Sequence, residues 1–175
     1  MTNPTKKSAS WKKINLGSEK LKDFFTRHLD RIYAAKQHLV SRLPSIENEA
    51  AFSDLKMAIC ETVADVEKQL TRMEIIYSIL DAQPATASIN GLSGLIQDAF
   101  EAISEQQGEP EMRDLSIIFY LQNIASIEMS SFQILQMAAV KLKNKHINQL
   151  LKENYDDAKA DRTLLLLISS KYITN

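Results

Sequence analysis

Glycine and proline are both scarce in this sequence of 175 residues, which contains four of each. β-Sandwiches, barrels and propellers need a turn residue about every 8–12 positions, so the scarcity argues against them. The single cysteine, Cys60, excludes an intramolecular disulfide framework and any zinc or iron–sulfur site made of several cysteines. Three histidines leave little material for a histidine-rich metal site.

The sequence also lacks a strong net charge and a long apolar run. The net charge is −1, which is not the charge of a chain that binds nucleic acid along its whole length. The longest apolar run, 164–168, is far shorter than the ~18 residues of a membrane-spanning helix. Residues 1–16 have neither the apolar core nor the cleavage site of a secretory signal. We therefore expect a cytoplasmic protein with no membrane contact.

Positive charge is concentrated at the N-terminus. Residues 1–22 contain six lysines and one glutamate, which leaves a local charge of +5. Such a polar, basic stretch is typical of a solvated arm, so we expect residues 1–17 to be a disordered basic tail. The alternative is that the tail contacts nucleic acid or an acidic partner.

What is present is a series of segments with apolar residues every three or four positions, the spacing of an amphipathic helix. The predicted helices run from Ser18 to Pro44, from about Ser53 to Asp81, from about Ile89 to Ser104, from Pro110 onward, and from about Lys145 to Ser170. No segment alternates with a period of two, so no sheet is expected.

The lengths of these segments predict an architecture. Four of them are long, at roughly 40 Å each for 1.5 Å per residue. We expect a connector of about nine residues in the first pair and a tight turn in the last, so that each pair forms an antiparallel hairpin. The short helix lies in a long crossover between the hairpins, which is the ferritin-like connection. Residues 18–171 are thus predicted to be an all-α, ferritin-like four-helix bundle with a short fifth helix in the crossover.

Four stretches carry a resemblance to a known family. They are Ile32-Tyr33-Ala34-Ala35-Lys36-Gln37 with Leu43-Pro44, then Arg72-Met73-Glu74-Ile75-Ile76-Tyr77, then Leu92-Ser93-Gly94-Leu95-Ile96, and finally Pro110 to Asp114 with Gln122, Glu128 and Phe132. In their order and spacing they resemble the YciE/YciF-type ferritin-like stress proteins of bacteria, over roughly residues 18–170. The resemblance implies a role in stress.

The same resemblance implies a di-iron carboxylate centre, in which glutamate and histidine side chains project inward from the four long helices. The corresponding positions here are Lys36, Thr62, Asp65, Asp98, Ala125, Ser126, Glu128, Asp157 and Ala158. Most of them lack a metal-binding side chain, and no histidine has a carboxylate three or four positions away. We therefore expect no metal, no cofactor and no catalytic residue. The alternative is an iron or manganese centre built from Asp65, Asp98, Glu128 and Asp157.

Lys36 lies within the apolar stripe of its helix, between Ile32 and Leu39. Three readings are open: the side chain snorkels from the edge of the stripe, the helix is slightly rotated, or the ammonium occupies the volume of a metal. In the third case it needs carboxylate partners, because an unpaired buried charge is costly. The natural partners are Glu128, Asp65 and Asp157. That reading predicts Lys36 within about 4 Å of Glu128 or Asp65, or in contact with them through one water.

Together with the resemblance, the sequence predicts a ferritin-like stress-family protein that has lost its di-iron site and acts as a non-enzymatic structural or interaction protein. A metal-binding ferritin-like protein and a binding module that uses the basic tail are the alternatives. We also expect a homodimer, formed through exposed apolar residues of the first two helices and burying Phe24 or Tyr77.

Overall fold

The computed structural model describes residues 17–86 and 90–174, and within them every regular element is an α-helix. The helices are α1 (Ser18–Glu49), α2 (Ser53–Ile79), α3 (Asn90–Glu105), α4 (Pro110–Lys141) and α5 (Lys145–Thr174). The predicted all-α class is confirmed. The expected disordered tail of residues 1–17 lies, apart from Gly17, outside the described residues and stays a prediction.

The end of the first helix is the main error in the predicted boundaries. α1 continues through Pro44 to Glu49, so the connector to α2 has three residues, 50–52, and not about nine. The apolar stripe continues past the proline, since Ile46 and Ala50 are both buried. The Asn48 amide donates to the Pro44 carbonyl at 3.0 Å. Burial of this last turn offsets the backbone hydrogen bond that a proline cannot make.

A carboxylate from α4 closes the corner between α1 and α2. Asp114, which is fully buried, accepts hydrogen bonds through Oδ2 from the backbone N–H groups of Ala51 at 2.8 Å and Phe52 at 2.6 Å. These amides belong to the connector just before α2 and have no partner within either helix. The neighbouring Arg113 guanidinium donates to the carbonyl of Glu49. The second hairpin thus holds the first in register.

The helices pack as two antiparallel hairpins. α1 lies along α2 and α4 lies along α5, while α2 contacts α5 and α1 contacts α4. The short α3 rests on α4 and α1, in the crossover between the hairpins. This is the predicted ferritin-like arrangement. Among the described residues, none of the helices is both long and apolar enough to cross a membrane.

The core consists of two apolar clusters at different heights of the bundle. One contains residues such as Leu43, Leu55, Ile117 and Leu165, and the other contains residues such as Phe25, Met73, Phe132 and Leu151. All four long helices contribute to both clusters. A layer of polar residues separates the clusters, and it includes the buried side chains of Lys36, Gln69, Asn154 and Asp161.

Candidate functional site

The Lys36 side chain occupies the polar layer at the centre of the bundle. It is 1% exposed, and its Nζ lies 2.7 Å from Glu128 Oε1. The ammonium also donates a hydrogen bond to Gln69 Oε1 and lies 5.4 Å from the centre of the Phe132 ring. The snorkelling and rotated-helix readings are therefore wrong, since both require an exposed ammonium.

The two other expected carboxylate partners bind different cations. Asp65 accepts from Lys68 Nζ at 2.7 Å, one turn along α2. Asp157 on α5 binds the guanidinium of Arg72 from α2. Each acid is close to the centre, but its charge is balanced by a side chain at the edge of the bundle.

Asp98 is the candidate ligand whose position in the structure differs most from the expected one. It lies on the exposed face of α3, whose buried face presents Ile96, Ala99 and Ile103 instead. α3 packs on the outside of α1 and α4, so a residue on its outer face cannot reach the bundle centre. The carboxylate site proposed from Asp65, Asp98, Glu128 and Asp157 is not assembled.

The positions without charge divide into two groups. Thr62, Ala125 and Ala158 are buried, as expected for residues that face the centre. Ser126 is only partly buried and lies toward α5, where its hydroxyl accepts from Arg162 Nε at 2.9 Å. It therefore belongs to the rim of the bundle and not to the central layer.

Two central residues were missed in the sequence, Gln69 and Asp161. Gln69 is fully buried and gives Lys36 its second acceptor. Asp161 is 6% exposed and lies on the inner face of α5. A signal was present for both: each follows a candidate acid, Asp65 or Asp157, by four positions, which is one helical turn.

Four acids lie at or near the centre: Asp65, Glu128, Asp157 and Asp161. In the described part of the chain, Asp161 is the one of these four with no cation within 4.0 Å. Burial first, and then the negative charges of Asp65, Glu128 and Asp157, raise the pKa of its carboxyl group to about 7, against the lowering effect of the Lys36 charge. Close to neutral pH this group therefore exchanges its proton. Several negative charges in a low-dielectric layer raise the pKa most strongly for the carboxyl group that has no cation beside it.

A second polar link joins α2 to α5 beside the layer. Arg72 binds Glu153 Oε2 at 3.2 Å and Asn154 Oδ1 at 3.2 Å, in addition to its ion pair with Asp157. Asn154 in turn donates to the carbonyl of Gln69 at 3.4 Å. The orientation of Gln69 is thus supported from both hairpins.

These side chains do not form a di-metal ligand set. Within residues 17–86 and 90–174, no group of three or more histidine, cysteine, aspartate or glutamate side chains is placed to hold a metal ion. Glu128 Oε1 is bound by the Lys36 ammonium, which repels a metal cation. The arrangement is suited to holding four helices together around one buried positive charge.

Comparisons with known proteins extend the description. A family model described as a domain of unknown function, DUF892, matches residues 20–174. Protein YciF of Escherichia coli (strain K12) is 25% identical over 141 residues, which are 80% of this chain and 84% of that protein.

Two solved structures share the fold. The crystal structure of the E. coli stress protein YciF aligns with a TM-score of 0.83 at 22% identity, over 89% of this chain and 98% of that one. YcfI from Rhodopseudomonas palustris, which its description proposes to be a structural protein, aligns with a TM-score of 0.79 at 25% identity, over 83% and 92%. The ferritin-like bundle predicted from the sequence is confirmed.

Proposed function

Because the chain belongs to the DUF892 family, we propose that it is a ferritin-like stress-family protein that has lost its di-metal centre and acts as a structural or interaction protein without enzymatic activity. The observation that carries this proposal is the Lys36 ammonium, which is buried between Glu128 and Gln69. The match to YciF supports the stress-family part, and the description of YcfI supports a structural role.

The physical case rests on charge balance. Several carboxylates in a low-dielectric layer repel one another, and a central cation relieves that repulsion. A metal ion supplies two or more positive charges, whereas Lys36 supplies one. The single charge suits this centre, since four of the nine positions, Thr62, Ala125, Ser126 and Ala158, carry no charge.

We predict that the protein purified without chelator contains far less than one iron or manganese ion per chain. The Lys36→Glu variant should be destabilised, because it adds a carboxylate beside Glu128, and Mn²⁺ should restore part of its stability. Elemental analysis and thermal unfolding with and without Mn²⁺ measure the two effects. Lys36→Gln, which adds no ligand charge, is the control and should not respond to Mn²⁺. Stoichiometric iron or manganese in the unmodified protein would favour the metal-binding alternative.

The homodimer stays a prediction, but its expected surface needs correction. Tyr77 is 2% exposed and donates to Asp30 Oδ1 at 2.6 Å inside the chain, so it is not available to a partner. The exposed apolar residues of the second half of α4 are instead Ile127, Ile134, Met137 and Val140. Ile127 and Ile134 line a groove of about 650 Å³, together with Phe24. An apolar patch of this kind is typical of an interface, and we propose that a second copy of the chain covers it.

Light scattering at micromolar concentration should therefore give the mass of a dimer. Ile134→Glu places a charge in the proposed interface and should give a monomer of unchanged helix content. Met57→Glu alters a similarly exposed apolar residue on α2 and should leave the dimer intact. A monomeric unmodified protein, or a dimer lost only in the Met57 variant, would contradict this surface.

The remaining alternative, a binding module that acts through the basic tail, depends on residues outside the described part of the chain. It stays a prediction. Cytoplasmic location stays a prediction as well.

A further inference from the structure

A cavity of about 360 Å³ lies between α4 and α5, away from the bundle centre. Its polar lining consists of Arg162 and Ser169 of α5 and of Gln122, Asn123 and Ser126 of α4. Phe119 and Ile173 also line it, and both are largely exposed, at 63% and 65%. The cavity therefore combines a cation, neutral polar groups and uncovered apolar surface.

Arg162 carries the only formal charge among the side chains that line this cavity. In the described part of the chain, no aspartate or glutamate oxygen lies within 4.0 Å of its guanidinium. Its neighbour in sequence, Asp161, is buried on the inner face of α5 and is not among the lining residues. Arg72 of α2, by contrast, binds two carboxylates of α5, those of Glu153 and Asp157.

The guanidinium is held in place by one hydrogen bond. Nε donates to Ser126 Oγ at 2.9 Å, and that hydroxyl donates to the carbonyl of Gln122 at 2.8 Å. The Gln122 amide donates to Ser169 Oγ at 3.1 Å, and this hydroxyl donates to the carbonyl of Leu165. Both walls of the cavity are therefore tied to helix backbone.

The terminal guanidinium nitrogens have no protein acceptor among the described residues. There the Arg162 side chain donates one hydrogen bond, and it comes from Nε. These nitrogens are the part of an arginine that binds a carboxylate through two parallel hydrogen bonds. A guanidinium that is held in place, with terminal nitrogens that bind no protein carboxylate, is suited to binding the anionic group of a ligand.

We propose that this cavity binds a small organic monocarboxylate, with its carboxylate on Arg162 and its apolar part against Phe119 and Ile173. A single cation balances a single negative charge, which favours a carboxylate over a phosphate dianion. The volume lies at the lower end of the range for ligand pockets, about 300–1,000 Å³, which indicates a small molecule.

Benzoate is the probe that tests the site, followed by ¹⁵N NMR titration of the full chain. We expect saturable shifts at the backbone amides of Gln122 and Ser169. Arg162→Gln should weaken benzoate binding about 10- to 100-fold, the range expected when a hydrogen-bonded ionic partner is lost. Lys159→Gln removes an exposed charge one turn earlier on α5 and should leave the affinity within about twofold.

Three further measurements complete the test. Phe119→Ser changes an exposed side chain that the fold does not need, and it should weaken benzoate binding about 3- to 10-fold through lost apolar contact. Benzamide, which has the same ring without the charge, should show no saturable binding. Inorganic phosphate should bind more weakly than benzoate. The proposal is overturned by equal benzoate affinity of the unmodified protein and Arg162→Gln, by benzamide or phosphate binding as tightly as benzoate, or by no saturable binding of benzoate up to about 50 mM.

Discussion

Replacing Lys36 with methionine is expected to lower the free energy of unfolding by about 3–5 kcal/mol, the usual cost of breaking a buried ion pair. Methionine nearly preserves the volume of the lysine stem, so the loss comes from charge and not from a cavity. Glu128 is left in the central layer without its cation, and Gln69 Oε1 loses its donor. Urea denaturation followed by circular dichroism measures the change.

The matched background is Glu128→Gln, which removes the negative charge that would otherwise be stranded. In that background Lys36→Met should cost much less, and the difference is the coupling energy of the pair. Lys68→Met removes the exposed partner of Asp65 and should cost no more than about 1 kcal/mol. If Lys36→Met costs less than about 0.5 kcal/mol, as ordinary surface substitutions do, the ammonium does not hold the bundle centre.

Raising the pH from about 5 to 8 is expected to destabilise the protein through Asp161 by at most about 2.7 kcal/mol, because this interval covers about two pH units below the folded pKa at about 1.4 kcal/mol each. Burial raises the pKa of this carboxyl group to about 7 in the folded chain, whereas an unfolded aspartate titrates near 3.9. Between these values the folded chain binds a proton that the unfolded chain has released. The stability that this one group contributes is therefore fully present below the lower value and is lost as the pH rises through 7.

Asp161→Asn removes this titration and mimics the protonated form. Its free energy of unfolding should exceed that of the unmodified protein at pH 8 and approach it at pH 5, as measured by urea denaturation across this range. Asp156→Asn is the control, since Asp156 is an exposed partner of Lys152 on the same helix. Parallel pH profiles of the unmodified protein and Asp161→Asn would show that Asp161 does not titrate in this window.

The two effects are coupled through the same layer. Lys36 lowers the pKa of Asp161, while the neighbouring carboxylates raise it. Removing Lys36 should therefore shift the pH-dependent loss of stability to higher pH. A shift to higher pH would show that the Lys36 charge acts on Asp161 as well as on Glu128, whereas no shift would show that it acts on Glu128 alone.

Much of the candidate site was predictable because it repeats along single helices. The spacing of Lys36 from Ile32 and Leu39 placed it on the buried face, and its pairing with Glu128 agrees with the predicted limit of 4 Å. Gln69 and Asp161 could have been found by extending the same spacing one turn from Asp65 and Asp157. The cations that bind Asp65 and Asp157 could not be predicted. Lys68 and Arg72 bind these two acids, and whether a side chain at either position reaches its acid depends on the rotation of the helices.

By itself the sequence determined the number and type of the elements, most of their ends, the pairing into hairpins and the lack of any carboxylate–histidine spacing. These properties are local, since they follow from apolar periodicity and from breakers such as Pro84 and Gly108. Only the tertiary structure decided that α1 continues through Pro44, that Asp98 faces outward and that Tyr77 is buried. It also decided which charges share the central layer. Such features depend on the rotation and height of one helix against another, and contacts between residues far apart in the chain set both of these.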